Sequence, residues 1–173
     1  MPPASIRASQ YTIRTASDAD VAQLVAVINR AYLAEAFCVM GERTDEADIR
    51  ARCKIGCFLV VDDPTEKAQR PRLIASVFVS NANGRGYLGM LAVDPDAQGR
   101  GLSRLLVTAV ENFCRDAGSR VLDLTVINVR ENLFPFYARL GFVQFDVMDF
   151  PEPHRIRMPL HLVKLTKPLV PAA

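Results

Sequence analysis

The run Gln98-Gly99-Arg100-Gly101-Leu102-Ser103 carries the clearest chemical signal in this sequence. It follows an apolar stretch of strand character, Tyr87 to Val93. It opens a helical stripe made of Leu102, Leu105, Leu106, Ala109, Val110, Phe113, Cys114 and Ala117. A glycine-rich turn in that place presents free backbone N–H groups, and the positive end of the helix dipole, to an anion. Gly99 and Gly101 let the backbone approach a ligand closely. The anion that suits such a turn is a phosphate or pyrophosphate, with Arg100 and Arg104 as nearby cations. A P-loop would end in Gly-Lys-Ser or Gly-Lys-Thr, and no Lys lies here. A dinucleotide fingerprint needs a third glycine where Arg104 stands.

A second segment lies one helix and one strand downstream: Asn132-Leu133-Phe134-Pro135-Phe136-Tyr137-Ala138-Arg139-Leu140-Gly141-Phe142. The first run resembles the Gln/Arg-x-x-Gly-x-Gly/Ala signature of the GNAT superfamily of acyltransferases. Gln98, Gly101 and Ser103 fill its defined places, and Leu91-Ala92-Val93-Asp94-Pro95 resembles the strand and turn before it. The second segment is similar to that family's Tyr-x-x-Leu-Gly-Phe segment, in the expected order. By its layout the resemblance covers nearly the whole chain.

The resemblance implies an N-acetyltransferase. It would move an acetyl group from acetyl-CoA to a primary amine, expected on a small molecule, by direct attack within a ternary complex. That reaction needs a polarised thioester carbonyl, a deprotonated amine and a protonated leaving thiolate. By the resemblance, backbone groups of Leu91, Ala92 and Val93 meet the pantetheine and acetyl carbonyl, with Gly89 near a bulge. Gln98, Gly99, Arg100, Gly101, Leu102, Ser103 and Arg104 hold the pyrophosphate. Tyr137 takes the general-acid position near the sulfur. An ordinary tyrosine has a pKa of about 10, so it keeps its proton at neutral pH and can donate it.

One departure stands out. The family's usual Asn falls on Arg130 and its usual small Ala on Leu133, while Asn128 and Asn132 flank the Asn place. Asn128 is an expected coenzyme contact, while which of Asn128, Arg130 and Asn132 replaces the usual Asn stays open, as does loss of that contact. The general base is open among Glu35, Glu42 and Asp123. Glu35 and Glu42 flank the Phe37–Gly41 segment, which in this family covers the acceptor. Neither His154 nor His161 has a partner visible in the sequence.

These groups need a scaffold to hold them. Tyr11–Thr15 alternates as a strand, Ser17–Asp20 resembles a capping box, and Val21, Leu24, Val25, Ile28, Ala31 and Tyr32 recur at helical spacing. A second helix is expected from Thr44 to Cys53, with acids at its start. Strands are expected at Cys57–Val61, Leu73–Val79, Tyr87–Val93, Val121–Ile127, Val143–Phe150 and His161–Leu165. Asn81–Gly86 reads as a loop. Gly118 ends the long helix, and Gly141 ends a helix through Tyr137 that Pro135 can enter in its first turn. The expected fold class is α/β, a GNAT-type mixed and mostly antiparallel sheet of about seven strands flanked by about four helices. One domain is expected over residues 1–173, with termini 1–9 and 170–173 frayed.

Composition fits this and excludes other classes. Half of the 173 residues are hydrophobic and 23% are charged, with a formal charge of +2. That is globular composition and gives no case for a nucleic-acid partner. No apolar run reaches membrane-span length, and Met1–Arg7 lacks a signal-peptide core, so the expected compartment is the cytoplasm. Cys53 and Cys57 have the wrong spacing for zinc, and no His completes a site; no metal is expected. A homodimer stays open. The alternative functions are acetylation of a protein terminus or lysine, and a non-catalytic acyl-CoA sensor.

Overall fold

The computed structural model describes residues 11–69 and 71–169; the expected frayed termini lie outside that range. Seven strands run in chain order: β1 (Ile13–Thr15), β2 (Gly56–Asp62), β3 (Leu73–Ala82), β4 (Arg85–Val93), β5 (Val121–Ile127), β6 (Val143–Asp149) and β7 (His161–Pro168). Four α-helices interleave with them: α1 (Val21–Tyr32), α2 (Glu46–Arg52), α3 (Leu102–Asp116) and α4 (Leu133–Arg139). The strands form one sheet in the order β1-β2-β3-β4-β5-β7-β6. Every neighbouring pair is antiparallel except β4 and β5, which are parallel. This is the mixed, mostly antiparallel α/β sheet expected from the sequence.

The apolar runs in β2 and β3 are continuous because both faces of the sheet are covered. Leu59 and Val61 point to the face that holds Leu106, Val107, Val110 and Cys114 of α3. Phe58 and Val60 point to the other face, against Leu24 and Ile28 of α1 and Ile49 of α2. α2 starts where Asp45 accepts the N–H of Asp48, at 2.8 Å. Before α1, the Ser17 N–H donates to Asp20 Oδ2 at 2.7 Å, the reach-back half of a capping box.

Three expectations about this scaffold need correction. Asn81–Gly86 is not an open loop. Asn83 (φ 53°) and Gly84 (φ 73°) make a two-residue turn, and strands β3 and β4 run up to it from both sides. Two left-handed residues match the twist of a hairpin, and Asn-Gly is the dipeptide that most readily supplies them. β7 runs to Pro168 rather than Leu165, because β5 pairs with it as far as Val121. α2 begins at Glu46 rather than Thr44, because Asp45 is its N-cap.

Candidate active site

The feature that builds the site is the parting of β4 from β5. The two pair only through Arg85–Tyr87 against Val121–Asp123. Beyond Tyr87, β4 stays with β3 while β5 pairs with β7 alone. A bulge bends β4 at the same place. Met90 and Leu91 both lie opposite Val77, since Ser76 pairs with Ala92 and Phe78 with Gly89. Met90 takes φ 49°, a backbone conformation that costs a side-chain-bearing residue about 1–3 kcal/mol. Its side chain is buried against the α1 face, and that packing holds the strained conformation. Gly89 is required for a different reason. A Cβ there would stand 2.8 Å from Cε1 of Tyr87, whose ring lies over it.

The gap opens into a cleft of about 1280 Å³. At one end lie Gln98, Gly99, Gly101, Leu102, Ser103 and Arg104. Gly101 is the N-cap of α3 in the left-handed region (φ 79°), and no side chain caps that helix. Among the described residues, no backbone acceptor receives the N–H groups of Gly99 through Arg104. A Cβ built on Gly99 or Gly101 would meet nothing within 4 Å, so the loop's backbone faces open space. This end therefore offers unsatisfied donors and a dipole to an anion, with no carboxylate in the first turn of α3. Leu91 and Val93 of β4 line the same cleft.

Not every expected coenzyme contact reaches it. Ala92 is buried on the opposite face, in the core with α1. Arg100 is not among the lining residues; its Nη2 donates to the Asp96 carbonyl at 2.8 Å, bracing the turn before the loop. Asn128 is also absent from the lining, because its Oδ1 accepts the His161 N–H at 2.9 Å and ties the end of β5 to the start of β7. Asn132 and Leu133 do line the cleft.

Tyr137 sits on α4 and lines the cleft with 6% of its surface exposed. Its ring is fixed edge-on to Phe136 and Phe142, with centroids 5.0 and 5.7 Å away. Among the described residues its hydroxyl has no hydrogen-bond partner. Burial, reinforced by neighbouring Tyr32 and Tyr87, pushes its pKa above the ordinary tyrosine value. The group therefore holds its proton at neutral pH.

The expected base candidates separate in space. Glu35 lines the cleft, and burial raises its carboxyl pKa, with Arg130 and Arg43 opposing. Arg130 Nη1 stands 3.3 Å from Glu35 Oε1. Asp123 also lines the cleft, yet both its oxygens are engaged. Arg85 Nε and Nη2 approach at 2.7 and 2.9 Å, and Thr166 Oγ1 donates at 2.6 Å. Glu42 is exposed and lines only a smaller side cavity of about 350 Å³ that shares Glu35, Tyr32 and Arg43 with the cleft. The Phe37–Gly41 segment is held down by Arg155, whose Nε donates to the Met40 carbonyl at 2.9 Å, and by the Val39–Ile156 bridge. His161 stays at the start of β7, and His154 sits in a short 3₁₀ turn.

Sequence reading misses Tyr32, Tyr87, Arg43 and the partner of Arg130. Tyr32 ends α1, where it reads as one more member of the apolar stripe. Its pKa is pushed up to about 12, chiefly by burial. The four cysteines are free thiols; Cys38 and Cys114 are buried.

Residues 68–150 match the family model described as an acetyltransferase (GNAT) domain. Mycothiol acetyltransferase of Rhodococcus jostii is 43% identical over 60 residues, which cover 35% of this chain and 20% of that protein. The same-named protein of Propionibacterium freudenreichii is 38% identical over 58 residues, covering 34% and 19%. The matched segments thus span about a fifth of the length of these relatives. The ribosomal-protein-S18-alanine N-acetyltransferase of Escherichia coli shares the fold with a TM-score of 0.72 at 17% identity, over 94% of this chain and 96% of that one. The Salmonella typhimurium protein yncA, solved with its cofactor acetyl-CoA, gives 0.70 at 21% identity, over 94% and 96%.

Proposed function

We propose that this chain, whose residues 68–150 match a GNAT acetyltransferase domain and whose fold is that of such enzymes, transfers an acetyl group from acetyl-CoA to a primary amine on a small molecule. The observation that carries this reading is one cleft with three parts. A helix N-terminus with no side-chain cap lies at one end, the splayed strand β4 forms a wall, and Tyr137, whose hydroxyl has no hydrogen-bond partner among the described residues, lines the interior. Acetyl-CoA supplies the activated thioester when bound.

The chain's own residues have separable tasks. The N–H groups from Gly99 to Arg104 and the guanidinium of Arg104 hold the pyrophosphate. The edge of β4 that β5 leaves free holds the extended pantetheine arm at Leu91 and Val93, as an added strand would be held. Tyr137 keeps a proton for the departing thiolate. Glu35 takes a proton from the incoming ammonium, directly or through one water. Its raised pKa makes it a stronger base than an exposed carboxylate. Arg130 keeps Glu35 charged against the cost of burial.

The test is steady-state thiol release from acetyl-CoA over a panel of amines, with product mass read in parallel. Amine-dependent release with an added acetyl mass supports the proposal. Binding of acetyl-CoA without release for any amine would make the protein a sensor. Release only with peptide N-termini or lysine side chains would move the acceptor to proteins.

A further inference from the structure

The cleft wall carries seven cationic side chains among the described residues, and five of them have a carboxylate within 4 Å. Arg52 is paired with Asp48, Arg85 with Asp123, Arg130 with Glu35, Arg155 with Glu152 and Lys164 with Asp146. Two are left over, Arg104 and Arg43. Arg104 lies in the first turn of α3, where the anionic coenzyme accounts for it. Arg43 lies at the other end, where the coenzyme's phosphates do not.

Arg43 is held for use rather than left trailing in solvent. Its backbone N–H donates to Asn29 Oδ1 at 2.9 Å, and its guanidinium lies 5.2 Å from the centroid of the Tyr32 ring. It is half-buried and lines both the cleft and the side cavity. Asp48 of α2 is already engaged by Thr44 Oγ1 at 2.8 Å and Arg52 Nε at 3.0 Å. Glu35 is shared with Arg130. Two guanidinium groups, Arg130 and Arg43, thus act on Glu35, and among the described residues Arg43 has no carboxylate within 4 Å. A partly buried cation costs desolvation unless an anion meets it.

Building on the acetyltransferase reading, we propose that the acceptor is an amino acid or a close analogue, whose carboxylate binds Arg43 while its amine faces Glu35 and Tyr137. A guanidinium lying over an aromatic ring keeps its N–H donors free to meet a carboxylate. An amine without a carboxylate would leave Arg43 unpaired, and a polycation would add further like charge beside Arg130.

The experiment compares α-amino acids, β-alanine and γ-aminobutyrate with their own carboxamides as acceptors, by thiol release with saturating acetyl-CoA. For at least one acid–amide pair, kcat/KM should favour the acid by about tenfold to a hundredfold, the range of a hydrogen bond to a charged group. Arg43→Gln should bring that ratio near one, while Arg43→Lys should retain part of it, and acetyl-CoA affinity should not move in either. Amides as good as acids across the panel would overturn the inference, as would a preference that survives Arg43→Gln in a folded variant. Release only with neutral or polycationic amines overturns it while leaving the acetyltransferase reading intact. Release with no amine overturns both.

Discussion

At the proposed coenzyme end of the cleft the groups on offer are mainly backbone amides: the loop from Gly99, the start of α3 and the free edge of β4, with Arg104 beside them. At the proposed acceptor end they are side chains: Tyr32, Glu35, Arg43 and Arg130, from the end of α1, the segments that follow it and the β5–α4 connection. Backbone recognition needs a local shape, and local shape is written in a few consecutive residues. Side-chain recognition needs convergence, which only the whole fold provides. The first end suits a constant ligand; the second can change with single substitutions and leave the scaffold standing. Tyr137 stands where the two meet.

Removing the Tyr137 hydroxyl tests that junction and should have the largest effect. Tyr137→Phe keeps the ring packed on Phe136 and Phe142. Turnover should fall by about 10²-fold or more, the range for a positioned acid. Acetyl-CoA binding should weaken by no more than about 0.5–1.5 kcal/mol. Wild-type turnover, where chemistry limits the rate, would remove the general-acid role.

Gly101→Asp attacks the backbone end. It places a negative side chain where the loop meets pyrophosphate, at a residue with φ 79°. Acetyl-CoA affinity, read by calorimetry on folded protein, should drop by about tenfold or more, the scale of one lost charge-assisted contact. Unchanged affinity would take this loop out of the site.

Glu35→Gln probes the side-chain end. If Glu35 is the base, activity rises with pH as its carboxyl loses the proton, at a pH above the ordinary glutamate value because burial raises it. The variant should lose that rising limb along with most of kcat, and acetyl-CoA affinity should stay put. A limb that persists in the variant would assign the titration to another group.

Much of the backbone end is legible in the amino-acid sequence. Gly99 and Gly101 ahead of the apolar stripe of α3 mark the candidate anion site within a handful of residues, and Tyr137 lies in an equally compact segment. The side-chain end is not legible there, because Glu35 and Arg130 are 95 residues apart and meet only after the sheet forms. Asn128 misleads for the same reason. Its type suits a coenzyme contact, yet β7 returns beside it and its side-chain oxygen accepts the His161 N–H. The Asn83-Gly84 turn differs, since its signal is local: the dipeptide alone specifies a tight hairpin, and the polar residues around it suggest a longer loop only by composition.

The smallest effect should come from the support beneath the backbone end. Arg30 reaches from α1 to Asp94 and Asp96, at 2.9 and 2.7 Å, and so braces the turn that leads into the loop. Its side chain is about half exposed, so Arg30→Ala should lower acetyl-CoA affinity by no more than a few-fold. A loss as large as that of Gly101→Asp would show that the loop's shape depends on this brace.

Both halves of the account rest on a coenzyme A site between β4 and α3. Calorimetric titration of the wild-type protein with acetyl-CoA, beside NAD and ATP at equal concentrations, tests that most directly. Saturable binding of acetyl-CoA at one site, tighter than either nucleotide and abolished or greatly weakened by Gly101→Asp, is the predicted result. Binding of NAD or ATP where acetyl-CoA does not bind would contradict it.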